Sequence, residues 1–159
     1  MKFLYNNKIN KILSEANIAN IETLRTTIPT ELEELLSEGV ENVEDCIFLK
    51  CNVGNLSNVK KTDFPDNTGL ECFVNKINID NYTDDDPSVS DMLKIGISAI
   101  NLIKCYLQNK DDKFAIIYSV QDDDFIAASL RFHKCRDGET WISDNLEGYE
   151  DATLVAYVN

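Results

Sequence analysis

The strongest constraint on the fold is one long apolar segment in the middle of the chain, Pro87–Gln108. Apolar side chains recur there at helical spacing, and additional ones widen the stripe to more than one face. Asp86 can cap such a helix with Pro87 in its first turn. Alternatively, Ser88 and Asp91 can form a capping box. We therefore predict a helix over 87–108 that is covered on several sides and forms the centre of the core.

The last third of the chain has the two-residue period of β-strands. Phe114–Val120 and Phe125–Cys135 are expected to pair as a hairpin, because apolar and polar residues alternate along the second segment. Thr153–Val158 is predicted to be the final strand. Two earlier β-rich runs, Cys46–Val53 and Leu70–Ile79, are also predicted to be strands.

Helical patterns are weaker near the N-terminus. Residues 7–26 are only weakly amphipathic, whereas Pro29 and Thr30 introduce a short helix over Glu31–Glu38 that Gly39 ends. The predicted elements have an α+β order: helices come first, then strands, then one long helix and then further strands. We predict a mostly antiparallel β-sheet with the long central helix packed on one face and shorter N-terminal helices. The length of 159 residues suits a single domain, 1–159.

The charge of the chain limits its partners. Lys and Arg number 15 and Asp and Glu 28, which gives a net charge of −13. Such a polyanion is repelled by nucleic acid and by anionic membranes, so we expect neither as a direct partner and favour a basic protein. The sequence has no export signal, no long apolar span and no CxxC pair among its five cysteines. These features predict a cytoplasmic protein with reduced thiols.

The sequence contains none of the common catalytic motifs. The phosphate-binding patterns GxGxxG and GxxxxGK[ST] and the nucleophile motif GxSxG are all missing. His133 and Cys135 are two residues apart, as a zinc or catalytic pair would be, but no second ligand pair exists. A histidine at the surface or in a turn is the favoured interpretation. We therefore expect no enzyme activity, no metal and no cofactor.

Two acidic triplets and one segment rich in aromatic residues are the candidate partner-binding regions. The triplets lack the spacing of calcium loops, and they suit solvated turns as well as one edge of an acidic binding surface. The segment 131–149 holds the only Trp and the only His. It suits either a binding ridge or a hairpin extension in which Trp141 covers the core and Arg131 and Arg136 pair with acids. The candidates are Asp84, Asp85, Asp86, Asp122, Asp123, Asp124, Glu139, Trp141, Asp144, Glu147 and Tyr149.

The C-terminal third carries a family resemblance. After R-F-H-K at 131–134 come R-D-G-E-x-W-I from Arg136, D-N-L-E-G-Y-E-D-A from Asp144, and a last apolar strand. Over 114–158 this pattern resembles immunity proteins of bacterial contact-dependent growth inhibition (CDI) systems. The resemblance implies a small cytoplasmic α+β antitoxin that binds the C-terminal toxin domain of its cognate effector, often a nuclease. Contact residues vary between such pairs, so the resemblance transfers none.

Charge and resemblance together predict an immunity protein that occludes the active site of a basic toxin domain. Its carboxylates would occupy the groove that a nuclease uses for phosphates. Two alternatives remain open at the level of sequence. One is a small metal-dependent hydrolase that uses the Asp clusters with His133. The other is an acidic nucleic-acid mimic that inhibits a DNA-binding protein.

Overall fold

The computed structural model describes residues 1–83, 87–123 and 125–159, which form an α+β fold. The helices are α1 Asn7–Glu15, α2 Thr30–Ser37, α3 Lys50–Val53, α4 Asn67–Val74 and α5 Val89–Leu107. The strands are β1 Lys2–Tyr5, β2 Val40–Val43, β3 Cys46–Leu49, β4 Ile77–Asn78, β5 Phe114–Asp122, β6 Ile126–Lys134 and β7 Ala152–Val158. Within these ranges no helix is both long and apolar enough to cross a membrane.

The main sheet has five strands in the order β1-β7-β5-β6-β4, and all neighbouring strands are antiparallel. The β5–β6 hairpin extends from the pair Phe114–Lys134 to the pair Asp122–Ile126, as the alternation of the sequence predicts. Strand β7 lies between β1 and β5. A second, two-stranded sheet consists of β2 and β3.

The long helix α5 packs on one face of the main sheet, as predicted. Ser88 is its N-cap and accepts a hydrogen bond from the Asp91 backbone N–H at 3.1 Å, so the capping box is the start signal used. The Asp91 carboxylate accepts the Ser88 hydroxyl at 2.6 Å. Gly96 allows a close approach to the sheet, since a Cβ there would lie 2.3 Å from Cε2 of Tyr118. The buried core forms between this helix and the inner sheet face.

The predicted strand Leu70–Ile79 is wrong, because most of it is helix α4 and only Ile77–Asn78 is extended. The Asp66 side chain caps α4 by accepting the Gly69 backbone N–H at 2.7 Å. Helix α4 packs between the β2–β3 hairpin and β6, so two of its sides are buried. Burial on two sides produces an apolar pattern that resembles strand alternation.

Three smaller differences concern the first third of the chain. The predicted strand Cys46–Val53 ends at Leu49 and continues as α3. Of residues 7–26, only α1 is an α-helix, and Asn17 lies beyond its end with φ of 54°. The short strands β1 and β2 were not predicted. The β2–β3 turn lacks the usual glycine and instead places Glu44 at φ of 53°.

His133 is not the surface or turn residue that the sequence favoured. It lies in β6 with 6% of its area exposed, and its Nδ1 is 2.9 Å from the Lys134 carbonyl oxygen. Burial lowers the pKa of its imidazole, although the hydrogen bond to Lys134 opposes that shift. All five cysteines are free thiols, as expected.

Candidate functional site

A groove of about 470 Å³ lies between α1, the start of α5, the end of β5 and the segment 150–152. Its apolar wall consists of side chains that are buried or half-buried, namely Ile12, Val89, Val120 and Ala152. Five carboxylates also line it, those of Glu15, Asp122, Asp123, Glu150 and Asp151, together with Lys8 and Lys11. We call this site the acidic groove. It contains two of the predicted partner-binding residues, Asp122 and Asp123.

One buried asparagine fixes the two walls of the acidic groove relative to each other. The Asn6 side chain is the N-cap of α1 and accepts the Ile9 backbone N–H at 3.2 Å. The same oxygen accepts the Thr153 backbone N–H at 3.2 Å, and the amide nitrogen donates to the Asp151 carbonyl at 2.8 Å. Because Asn6 is only 1% exposed, these bonds are shielded from water. They hold the start of α1 beside the start of β7.

The charge of the acidic groove is only partly compensated. Lys11 lies 3.9 Å from Glu15, and the Lys8 ammonium donates to the backbone carbonyl of Glu150. Among the described residues, the side chains of Asp122 and Asp123 have no ion-pair partner, and both are exposed. Carboxylates beside an apolar wall suit a Lys or Arg side chain, whose alkyl stem and charged end match the two parts. The described residues contain no group of three or more His, Cys, Asp or Glu arranged to hold a metal ion.

Three predicted site residues have structural partners instead of facing the acidic groove. The Glu139 carboxylate accepts the Thr68 backbone N–H at 2.9 Å, at the start of α4. Burial raises the pKa of Glu139, but the Thr68 hydrogen bonds and Arg136 outweigh it and the net shift is downward. Glu147 accepts the Asn7 backbone N–H at 3.0 Å, and Tyr149 accepts the Ser143 N–H at 2.9 Å. These contacts fasten the loop between β6 and β7.

Trp141 is not the buried lid that one interpretation of the sequence required, because 42% of its area is exposed. The Arg131 guanidinium carbon lies 5.4 Å from the centre of its ring, a cation–π distance. Asp144 is exposed in the same loop. The other predicted residues, Asp84, Asp85, Asp86 and Asp124, lie outside the described residues. Of the described candidates, only Asp122 and Asp123 line the acidic groove.

The sequence did not reveal a buried carboxylate that accepts four hydrogen bonds, that of Glu71. It is completely buried, and its carboxylate accepts both Arg136 Nη atoms, at 2.9 and 2.8 Å. It also accepts the backbone N–H groups of Ile47 and Lys134, each at 2.8 Å. The hydrogen bond to Glu71 raises the pKa of Arg136. The expectation that Arg136 pairs with an acid is thus confirmed.

Asn75, one helical turn after Glu71, completes the connection between the two sheets. Its amide nitrogen donates to the Ile47 carbonyl at 2.9 Å and to the Phe132 carbonyl at 3.0 Å. Its oxygen accepts the Leu49 N–H at 2.9 Å. Helix α4 therefore satisfies the backbone of β3 on one side and of β6 on the other. The four-residue spacing of Glu71 and Asn75 is the sequence signal that could have indicated this helix.

Nearly the whole sequence matches one protein family. The model of the Uncharacterized protein PM0498 family matches residues 4–159. The chain belongs to this family. A relative, Uncharacterized protein PM0498 of Pasteurella multocida (strain Pm70), is 31% identical over 160 residues, which cover 95% of this chain and 98% of that protein. No solved structure matches the chain. The PM0498 match includes the acidic groove and the Glu71–Arg136 pair.

Proposed function

We propose that the protein is a cytoplasmic immunity protein, without enzyme activity, that binds a basic toxin domain and occludes its active site. One observation carries the proposal. The acidic groove combines an apolar wall with exposed carboxylates that have no ion-pair partner among the described residues. The net charge of −13 has the sign that a basic partner requires.

The acidic groove lies next to an exposed aromatic residue that suits a protein interface. Phe125 is 66% exposed in the β5–β6 connection, two residues after Asp123. Aromatic side chains supply most of the binding energy of many interfaces, and surrounding charges steer the encounter and fix the register. Five carboxylates against two lysines leave the lining of the acidic groove negative. A basic partner would neutralise that excess.

The finer assignment to a toxin rests on the CDI resemblance over 114–158. A nuclease domain needs a cationic groove for the phosphate backbone, and an acidic antitoxin can fill that groove. Long-range attraction between opposite charges raises association rates up to about 10⁸–10⁹ M⁻¹s⁻¹ at low salt. Rapid capture suits an antitoxin, because the toxin has to be bound before it acts.

Binding to the product of the adjacent gene, where we expect the cognate toxin domain, tests the proposal. The two proteins are co-expressed and co-purified, and the dissociation constant is measured by isothermal titration calorimetry. The double variant Asp122→Lys/Asp123→Lys is expected to weaken binding by about 2–5 kcal/mol if both carboxylates are desolvated against cations.

A matched control separates the local effect from the global charge. Glu33→Lys/Glu34→Lys changes two adjacent exposed carboxylates on α2 and produces the same change in net charge. It is expected to slow association slightly and to leave the dissociation rate unchanged. Equal losses for the two double variants would show that the acidic groove is not the interface. Failure of the purified chain to bind the toxin domain would refute the immunity role.

A further inference from the structure

A second cavity, of about 310 Å³, lies on the face of the main sheet that is turned away from α5. Ser119 on β5 and Ser129 and Arg131 on β6 line it, and they alternate with residues that face the core, such as Tyr118 and Leu130. Its lining is otherwise mostly polar, including Lys76, Asn78, Asp80 and Asp151. We call it the outer cavity.

Arg131 differs from the other two arginines of the chain. Arg136 is paired with Glu71, and the exposed Arg25 donates to the backbone carbonyls of Glu22 and Leu24. Arg131 is half-buried, yet no described residue forms an ion pair or a hydrogen bond with its guanidinium. No Arg131 nitrogen is among the buried polar atoms without a partner, so its five N–H donors are open to an anion from solvent.

The surroundings of Arg131 hold its guanidinium ready for a planar ligand. The Trp141 ring lies against it, with the guanidinium carbon 5.4 Å from the ring centre, so the indole restricts where the guanidinium can move. Ser119 and Ser129 form a hydroxyl pair, with their oxygens 3.1 Å apart, in the same cavity. A flat fork of N–H donors beside hydroxyl groups matches the two oxygens of a carboxylate.

We propose that the outer cavity binds the carboxylate group of a small molecule through Arg131. The cations of its lining, Lys76 and Arg131, are balanced by Asp80 and Asp151, so a monoanion is favoured over a phosphate dianion. The volume lies at the lower end of the range for small-molecule sites, so we expect a small ligand. This site does not depend on the proposed toxin partner.

The only tryptophan of the chain reports on this site directly. Fluorescence of Trp141 is followed while sodium acetate is added, with sodium chloride keeping the ionic strength constant. We expect a saturable change with acetate. In Arg131→Gln the half-saturating concentration should rise at least about tenfold, because the charge-assisted pair of hydrogen bonds is lost. Arg25→Gln removes the same charge at an exposed position and should titrate like the wild type.

Three other results of these titrations would contradict the proposed carboxylate site. A titration without saturation, or an identical titration in Arg131→Gln, would refute the site. Tighter saturation by sodium phosphate would overturn the assignment to a carboxylate. If Arg131→Gln does not fold, Arg131→Lys retains the charge without the planar fork and is expected to weaken acetate binding. The indole N–H resonance of Trp141 provides a second readout in NMR spectra.

Discussion

Replacement of Glu71 by Gln tests how α4 is held between the two sheets. The Glu71 carboxylate has no exposed area and accepts two hydrogen bonds from Arg136 and one each from the Ile47 and Lys134 backbone. Glutamine has nearly the same shape but no charge, and its NH₂ group cannot accept a hydrogen bond. The variant therefore leaves the Arg136 guanidinium, whose side chain is 13% exposed, without its buried counterion.

The expected loss is large relative to the stability of a domain. Removing one partner of a buried ion pair costs about 3–5 kcal/mol, whereas the whole free energy of unfolding is about 5–15 kcal/mol. For a chain of this size about 2–4 °C of melting temperature corresponds to 1 kcal/mol, so the midpoint should fall by roughly 6–20 °C. The cause is burial of a cation whose remaining acid, Glu139, lies 3.9 Å away, so added salt should restore little of the loss.

Urea unfolding followed by circular dichroism measures this difference. Glu34→Gln, at an exposed position of α2, is the matched control and should stay within about 0.5 kcal/mol of the wild type. In Glu71→Gln/Arg136→Gln the unpaired charge is gone, so the double variant should lose less stability than the two single losses added together. A loss below about 1 kcal/mol for Glu71→Gln, or strict additivity in the cycle, would refute the reasoning.

Two further predictions concern the packing of α5 and the buried histidine. Gly96→Ala places a methyl group 2.3 Å from Cε2 of the buried Tyr118 ring, so it should lower the free energy of unfolding by about 1–3 kcal/mol in calorimetry. Gly54→Ala is the control and should not lower it, because nothing lies within 4 Å of the added methyl group. Equal effects of the two variants would contradict the close contact. Burial lowers the pKa of the His133 imidazole below 6.5 in the folded protein, so the unfolded chain binds the proton first as the pH falls. The contribution of His133 to the free energy of unfolding is therefore fully present above pH 6.5 and is lost as the pH falls through the folded pKa. His133→Gln should flatten that decline, and an NMR titration of the single histidine giving a pKa of 6.5 or more would disprove it.

The sequence predicted those elements whose local pattern and tertiary burial agree. Helix α5 and the β5–β6 hairpin are long and strongly periodic, so their type and the pairing of the two hairpin strands followed from spacing alone. The position of β7 beside β5 did not. Helix α4 was missed because burial between two sheets hides its amphipathic period. Strand β1 was missed because only four residues form it and its partner is β7, at the other end of the sequence.

The candidate site was predicted only in part for a similar reason. Asp122 and Asp123 were selected from charge, and they do line the acidic groove. Its other wall comes from α1 and from segment 150–152, which no local pattern connects with them. Glu139 and Glu147 bind backbone groups 71 and 140 residues away in the sequence, so composition could not distinguish them from free surface carboxylates.

The position of β7 inside the main sheet has a consequence for biosynthesis. During translation β1 is made before the other strands of the sheet, yet the strand with which it pairs is made only when residues 152–158 are added. Until then β5 also has one bare edge. Local elements such as the β5–β6 hairpin can form on the nascent chain, but the complete sheet has to wait for β7, which joins β1 to β5. Pairing of β1 in the main sheet therefore has to follow synthesis of β7.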